Sequence, residues 1–429
     1  MDKVNLANTY KARRDKLASQ IGTGIALINR AFHAPDLYLH DKNLEYLTGL
    51  NDTDAILMLA PSGMTINRWE TIRTENIGRG VTVHEVLFVR ELTERDKAID
   101  GEGSGADIIK QETGVETVLP LSKFEVIICG ALLGTDTLWV NIPAAFKLSK
   151  PLSEDLIRYN QIRERYPWVS FKTIAPLIHE MRRVKDSYEI GCLREAFKIH
   201  TEVYEKIMSS LKPGDNEAKG KSIWDYETNM RGANVSGSTL DNNATNIIVA
   251  AGKNAAVAHY MDNNREIKDG DLVLIDSGVS VNGYSSDITR TFPANGRFTD
   301  RQRELYAIVL EAQKAAIATM KPGSTSKIAH KAVYDTFKKY GLEQYGYGLC
   351  GHPVGLNIHD ANGWRADDDL PFVSGVVLVI EPFLAIPEEG IGIRIEDGVL
   401  ITEDGCEVLT GPVKEIDDVE RLCGALQRS

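Results

Sequence analysis

DLVLIDSGVSVNGYSSDITRTF, residues 271–292, is the stretch on which the reading of the fold turns. Asn282-Gly283 stands between two alternating runs, the strongest short hairpin signal, because its two-residue turn needs positive φ at both central positions. With Val281 facing Tyr284, Asp287 falls opposite Gly278 and Asp276 opposite Thr289. Side chains alternate along a strand, so Asp276 shares a face with Gly278, and Asp287 with Thr289. Both carboxylates then point the same way, on a diagonal of about 7–8 Å across the pair. Either aspartate alone reads as a solvated strand end, but Asp276 follows the apolar run LVLI, which predicts burial. Two ionised carboxylates about 4 Å apart repel by about 4 kcal/mol at an effective dielectric of about 20. A cation is expected between them.

Two further stretches supply matching chemistry. In VVLVIEPFLAIPEEGIGIRIEDGVLIT, residues 376–402, Glu381 ends an apolar run and Glu396 interrupts an alternating one. Arg394 lies two residues from Glu396, on the same face of a regular strand, where it would orient that carboxylate. Asp397, Glu388 and Glu389 are expected to face solvent. In CGHPVGLNIHD, residues 350–360, His352 sits between glycine and proline, outside any helix interior, and His359-Asp360 follows. A lone histidine is more often a packed or surface residue than a ligand, and that plainer reading applies to His359 and to His259 in GKNAAVAHY, residues 252–260. Together Asp276, Asp287, His352, Glu381 and Glu396 make an oxygen-rich set with one imidazole. Such a set suits manganese, zinc, cobalt or iron(II) rather than copper(I) or a zinc finger. Four carboxylates match two divalent ions, and ions about 3.5–4 Å apart lower the pKa of bound water from about 15.7 toward 7.

The surroundings are those of a soluble globular protein. A length of 429 residues favours two domains of unequal size, and 43% hydrophobic with 26% charged residues excludes a disordered chain. The net charge of −12 disfavours nucleic acid and anionic lipid as partners. Five scattered cysteines without a CxxC pair fit reduced thiols and a cytoplasmic location. No signal-peptide core or membrane-length apolar run is present. Residues 8–20 read as a helix, GIALIN, AILMLA, VTVHEVLFV, FEVIICG and LWVNIP as strands, and ADIIKQETG as a further helix, making a small α/β unit. The charged text between about 150 and 180 carries the connection, placed at 165/166. Beyond it a long amphipathic helix runs from MRRVKD to Pro213-Gly214, then helices near 217–231, 299–320 and 326–340 alternate with strand pairs joined by tight turns. That pattern predicts an α+β domain with an antiparallel sheet.

At this point the chain resembles the pita-bread metallopeptidases, in particular their proline-directed branch of Xaa-Pro aminopeptidases and Xaa-Pro dipeptidases. The resemblance rests on IDSG with SSDITRTFP, GHPVGLNIHD, IEPF and GIRIEDGVLIT in the family's order and approximate spacing; YLTGLNDTDAILMLAP resembles part of the accessory domain. It implies an α/β accessory domain over residues 1–165 and a catalytic pita-bread domain over 166–429, with a curved antiparallel sheet. It further implies two divalent ions, usually manganese, with Asp276 on one, Asp287 and Glu396 bridging, and His352 with Glu381 on the other. Glu381 would also handle the proton of the attacking water, His259 and His359 would contact substrate, and Arg394 and Thr289 would support the ligands. A homodimer or homotetramer is expected. The proline-directed enzymes usually carry another histidine four residues before the ligand histidine, where this chain has Gly348, with Tyr347 beside it.

The expected substrates are peptides with proline in the second position. A bond before proline is a tertiary amide without an N–H, and the ring restricts the preceding residue, so ordinary peptidase grooves fit it poorly. The aminopeptidase reading is preferred and the dipeptidase reading is the alternative. A metal-free relative, a creatinase-like amidinohydrolase or a binding module, would have lost several ligands, and all five are present.

Overall fold

The computed structural model describes residues 3–29, 42–51, 55–66, 81–101, 103–141, 154–236, 247–347, 350–360, 365–411 and 413–424. It forms two units, Met1–Glu180 and Met181–Ser429.

The first unit is built on a six-stranded mixed sheet of β1 (Ile25–Asn29), β2 (Ile56–Ile66), β3 (Val81–Val89), β4 (Thr117–Pro120), β5 (Thr137–Val140) and β6 (Ser170–Thr173), in the order β4-β3-β2-β1-β5-β6. Every residue of β1 is buried, as a strand covered on both faces must be. FEVIICG, expected as a strand, is instead part of the helix Phe124–Ala131. Phe124, Ile127 and Ile128 are buried at helical spacing while Val126 is exposed, a period that a short apolar run hides.

The long amphipathic pattern breaks into two helices, Ala175–Arg183 and Ser187–Met208. Val184 bridges to Val376, and Asp186 then caps the helix Ser187–Met208 in a reciprocal box with Glu189. Cys192, Leu193, Ala196, Phe197, His200, Val203, Tyr204 and Ile207 form its buried stripe. The strands of the second unit are β7 (Asn234–Ser236), β8 (Ile248–Ala251), β9 (Leu272–Val281), β10 (Tyr284–Pro293), β11 (Gly346–Tyr347), β12 (Val377–Ile380), β13 (Phe383–Ile386), β14 (Ile391–Arg394), β15 (Asp397–Ile401) and β16 (Cys406–Val408). All their ladders are antiparallel.

The β9–β10 hairpin has the expected register, with Asp287 opposite Gly278 and Asp276 opposite Thr289, around Asn282 at φ 50° and Gly283 at φ 84°. β12 pairs with β15 and β13 with β14, the two ladders ending at Ile380 opposite Asp397 and at Phe383 opposite Arg394. Between them the chain passes from one sheet to the other at Glu381-Pro382 and at Ile395-Glu396. Both glutamates therefore lie in an interruption of regular pairing. The Glu396 N–H is taken up by Thr289 O of β10 at 3.0 Å, which ties the interruption to the hairpin.

Candidate metal centre

The four carboxylates arrive from two kinds of backbone device. Asp276 and Asp287 come from the hairpin face, while Glu381 and Glu396 come from the two sheet crossings. His352 comes from a loop laid along β12, with Val379 N–H donating to His352 O at 2.9 Å and Glu381 N–H donating to Cys350 O at 2.8 Å. Gly351 allows that approach, since a Cβ there would stand 2.0 Å from Val379 O.

In three overlapping groups, one donor atom from each residue lies within 4.8 Å of the others: Asp276, Asp287 and Glu396; His352, Glu381 and Glu396; and Asp287, His352 and His359. Glu396 is common to the first two and Asp287 to the first and third. His352 Nε2 lies 3.4 Å from Asp287 Oδ2, 3.7 Å from Glu381 Oε1 and 4.0 Å from Glu396 Oε1. Its Nδ1 faces Pro353 O at 3.2 Å, so an Nδ1–H tautomer leaves the Nε2 lone pair aimed among the carboxylates.

Four carboxylates in a confined space need positive charge, and the side chains present do not supply enough of it. Arg394 donates to Asp276 Oδ2 and, at 3.1 Å, to Thr289 Oγ1; Thr289 in turn donates to Glu396 Oε2 at 2.8 Å. Arg394 therefore reaches Glu396 through the threonine hydroxyl, a longer route than the direct contact suggested by their spacing. Asp276 Oδ1, Asp287 Oδ1 and Glu396 Oε1 are buried with no hydrogen-bond partner among the described residues. A buried oxygen of this kind costs several kcal/mol unless a cation meets it, so the donor set fits divalent metal ions.

The protonation pattern agrees. Burial, reinforced by Glu396, Asp276 and Glu381, pushes the Asp287 carboxyl far above its usual range. Burial and the charges of Glu381 and Asp276 do the same to Glu396. Glu381 is raised to about 8, chiefly by burial, with Arg394 opposing. Burial, then the neighbouring His359, drives His352 far down, and burial with His259 lowers His359 to about 4. These shifts favour protonated carboxyls where no cation balances the charge, and burial favours the neutral imidazoles that metal ligation requires.

The rings of His359 and His352 meet at a centroid distance of 4.0 Å, tilted by 52°. His259 is exposed and stands outside the three donor groups. Gly348 lies outside the described residues, as does the Tyr347 side chain. Glu388 and Glu389 are exposed, but Asp397 is fully buried and pairs with Arg290 and Lys414, correcting its expected solvent-facing position. Its burial follows from its place as the first residue of β15, opposite Ile380.

Glu217 escaped the sequence reading because nothing in its neighbours marks it. It is fully buried and accepts from Ala251 N at 2.7 Å, Asn254 Nδ2 at 3.1 Å, Tyr260 OH at 2.8 Å and Arg265 N at 2.9 Å. Those bonds anchor both ends of the segment bearing His259.

Residues 191–403 match the metallopeptidase family M24, and residues 10–139 match the aminopeptidase P N-terminal domain. The chain is similar to the Xaa-Pro aminopeptidase of Escherichia coli, 31% identical over 98% of each chain. It is also similar to the mitochondrial intermediate cleaving peptidase 55 of Arabidopsis thaliana, 31% identical over 96% of this chain and 82% of the relative. Among solved structures, aminopeptidase PepP of Pseudomonas aeruginosa superposes with a TM-score of 0.82, 29% identical over 99% of both chains.

Proposed function

The chain belongs to metallopeptidase family M24, and from that membership we propose that it is an Xaa-Pro aminopeptidase, a metallo-exopeptidase that removes the residue preceding proline from peptide N-termini. The observation that carries the catalytic reading is the convergence of four carboxylates and a neutral imidazole around buried, unpartnered oxygens. We assign Asp276, Asp287, His352, Glu381 and Glu396 as the residues that would hold two divalent ions, and manganese as the metal. When bound, such ions would supply Lewis acidity, making water more acidic and the scissile carbonyl more electrophilic.

The remaining work falls to side chains. Glu381 is 20% exposed, against 8% or less for Asp276, Asp287 and Glu396, so it is the carboxylate best placed to exchange a proton with a reacting group. His359 at the cluster's edge, with His259, is assigned to substrate contact. Thr289 and Arg394 hold the orientations of Glu396 and Asp276. Cleavage must end with a proton on the departing proline nitrogen, which carries none as a tertiary amide.

The division into an accessory domain over 1–165 and a catalytic domain over 166–429, a homo-oligomeric assembly and a cytoplasmic location belong to the same proposal. No helix among the described residues is long and apolar enough to cross a membrane. The test is product mass after incubation with manganese and three short peptides: Xaa-Pro-Yaa, Xaa-Pro, and a tripeptide without proline. Release of Xaa from Xaa-Pro-Yaa is expected. Cleavage of the dipeptide alone would make the enzyme a dipeptidase. Proline-independent removal of the first residue would overturn the Xaa-Pro reading.

A further inference from the structure

On the reverse side of the metal-facing strands lies a second buried charge system. Arg290 follows Thr289, so its side chain leaves the opposite face of β10. Its Nη1 donates to Glu396 O at 2.6 Å and to Thr289 O at 2.8 Å, the two carbonyls at the junction of hairpin and sheet crossing. Its Nη2 donates to Asp397 Oδ1 at 2.6 Å. Asp397 Oδ2 accepts from Gln313 Nε2 at 3.0 Å and from Lys414 Nζ, and Gln313 Nε2 also meets Ile395 O at 3.2 Å. Arg290 and Asp397 are fully buried, whereas the Lys414 side chain is 21% exposed and enters from the C-terminal segment, where its carbonyl accepts from Tyr306 OH at 2.9 Å.

We propose that Lys414 is a positioning residue for the metal centre, acting through Asp397 and Arg290 on the backbone of Glu396. This inference rests on the assignment of Glu396 as a metal ligand. The physical reason is charge division. Asp397 has two cations, one per oxygen, so Arg290 is free to commit its other nitrogen to Glu396 O and Thr289 O. Without Lys414, Asp397 Oδ2 loses its charged partner in a buried setting, and the Arg290 guanidinium is drawn toward it, away from those carbonyls. Glu396 sits in a gap between ladders, where the carbonyl contact and its N–H bond to Thr289 O replace regular strand pairing. A displaced backbone there moves the carboxylate common to two donor groups.

The experiment is a manganese titration of the metal-free full chain by calorimetry, on the parent, Lys414→Met and Lys414→Arg, with melting temperatures recorded alongside. Lys414→Met should bind manganese about 10–100-fold more weakly, the usual cost of losing an outer support of a metal ligand, and Lys414→Arg should return to within about threefold of the parent. A Lys414→Met affinity within about threefold of the parent overturns the proposal, even if its melting temperature falls, because that would be a purely structural role. If Lys414→Met does not yield folded protein, Gln313→Leu removes another donor from the same carboxylate and from Ile395 O. Unchanged manganese affinity there overturns the proposal equally. A parent that binds no manganese, cobalt or zinc would instead sink the metal reading itself, and this inference with it.

Discussion

Thr289 and Glu396, 107 residues apart in the chain, are joined by a hydrogen bond from the threonine hydroxyl to Oε2 at 2.8 Å. The same hydroxyl oxygen accepts from Arg394 Nε at 3.1 Å, so one small side chain fixes a carboxylate and a guanidinium at once. Thr289→Val keeps the volume and removes both bonds. A hydrogen bond to a charged group is worth about 1.5–3 kcal/mol, so manganese affinity should fall about 10–100-fold with little change in the far-UV spectrum. Unchanged affinity in a metal titration would show that Glu396 keeps its orientation without this bond.

Gly351 makes a different demand on the same centre. A Cβ at this position would lie 2.0 Å from Val379 O, a backbone atom that can move only with β12. Gly351→Ala must push the loop off the strand and carry His352 with it. The expected result is a drop of at least about tenfold in metal affinity, together with a melting temperature lowered by several degrees, since overpacking costs about 1–3 kcal/mol. A variant that binds and melts like the parent would mean the loop relaxes without moving the imidazole.

How far the site could be read from sequence depends on whether residues are related by a local repeat. The two aspartates were placeable because Asn282-Gly283 sets the hairpin register and the period of two sets the face. Glu381 and Glu396 were noticeable as charges in apolar runs, but not their sheet crossings, which depend on how β12, β13, β14 and β15 exchange partners. Strand alternation put Arg394 beside Glu396, whereas the break at Ile395-Glu396 turns the guanidinium to Asp276. Asp397 illustrates the limit. Its partners Arg290 and Lys414 come from distant segments, and a pattern that treats each strand separately cannot see a carboxylate neutralised by both. The FEVIICG helix failed for a simpler reason: seven nearly all-apolar residues fit either period.

The protonation pattern gives the metal-free chain a characteristic response to pH. Asp287, Glu396 and Glu381 have raised values, Glu381 to about 8, so between the unfolded carboxylate value of about 4 and the folded values the native chain binds more protons than the unfolded one. Their contribution is fully present below the unfolded value and is lost as pH rises through the folded values. His352 and His359 act oppositely, with folded values below 6.5, and their contribution is lost as pH falls below that. Above pH 6.5 the unfolded histidines lose their remaining protons, the opposing histidine effect fades, and the carboxylates dominate. The melting temperature of chelator-treated protein should therefore fall from pH 6.5 to 8, and saturating manganese should remove that fall, because the metal takes the place of the protons. A metal-free melting temperature that rises across this window would contradict the clustering of the carboxylates.

Glu381 combines two assignments, ligand and proton carrier, that a single conservative substitution separates. Glu381→Gln keeps an oxygen donor of the same reach but can neither carry the negative charge nor accept a proton. On the proposed ligand set, loss of the charge should weaken manganese binding at the group of His352, Glu381 and Glu396 while sparing binding at the group of Asp276, Asp287 and Glu396. Raising manganese until both ions are bound then isolates the second role. At that point kcat on an Xaa-Pro-Yaa peptide should remain about 10²–10⁴-fold below the parent, the usual worth of a general acid–base group, while KM changes far less. Recovery of kcat to within about tenfold at saturating metal would limit Glu381 to holding the ion and move the proton transfer to another group at the rim, with His359 the next candidate.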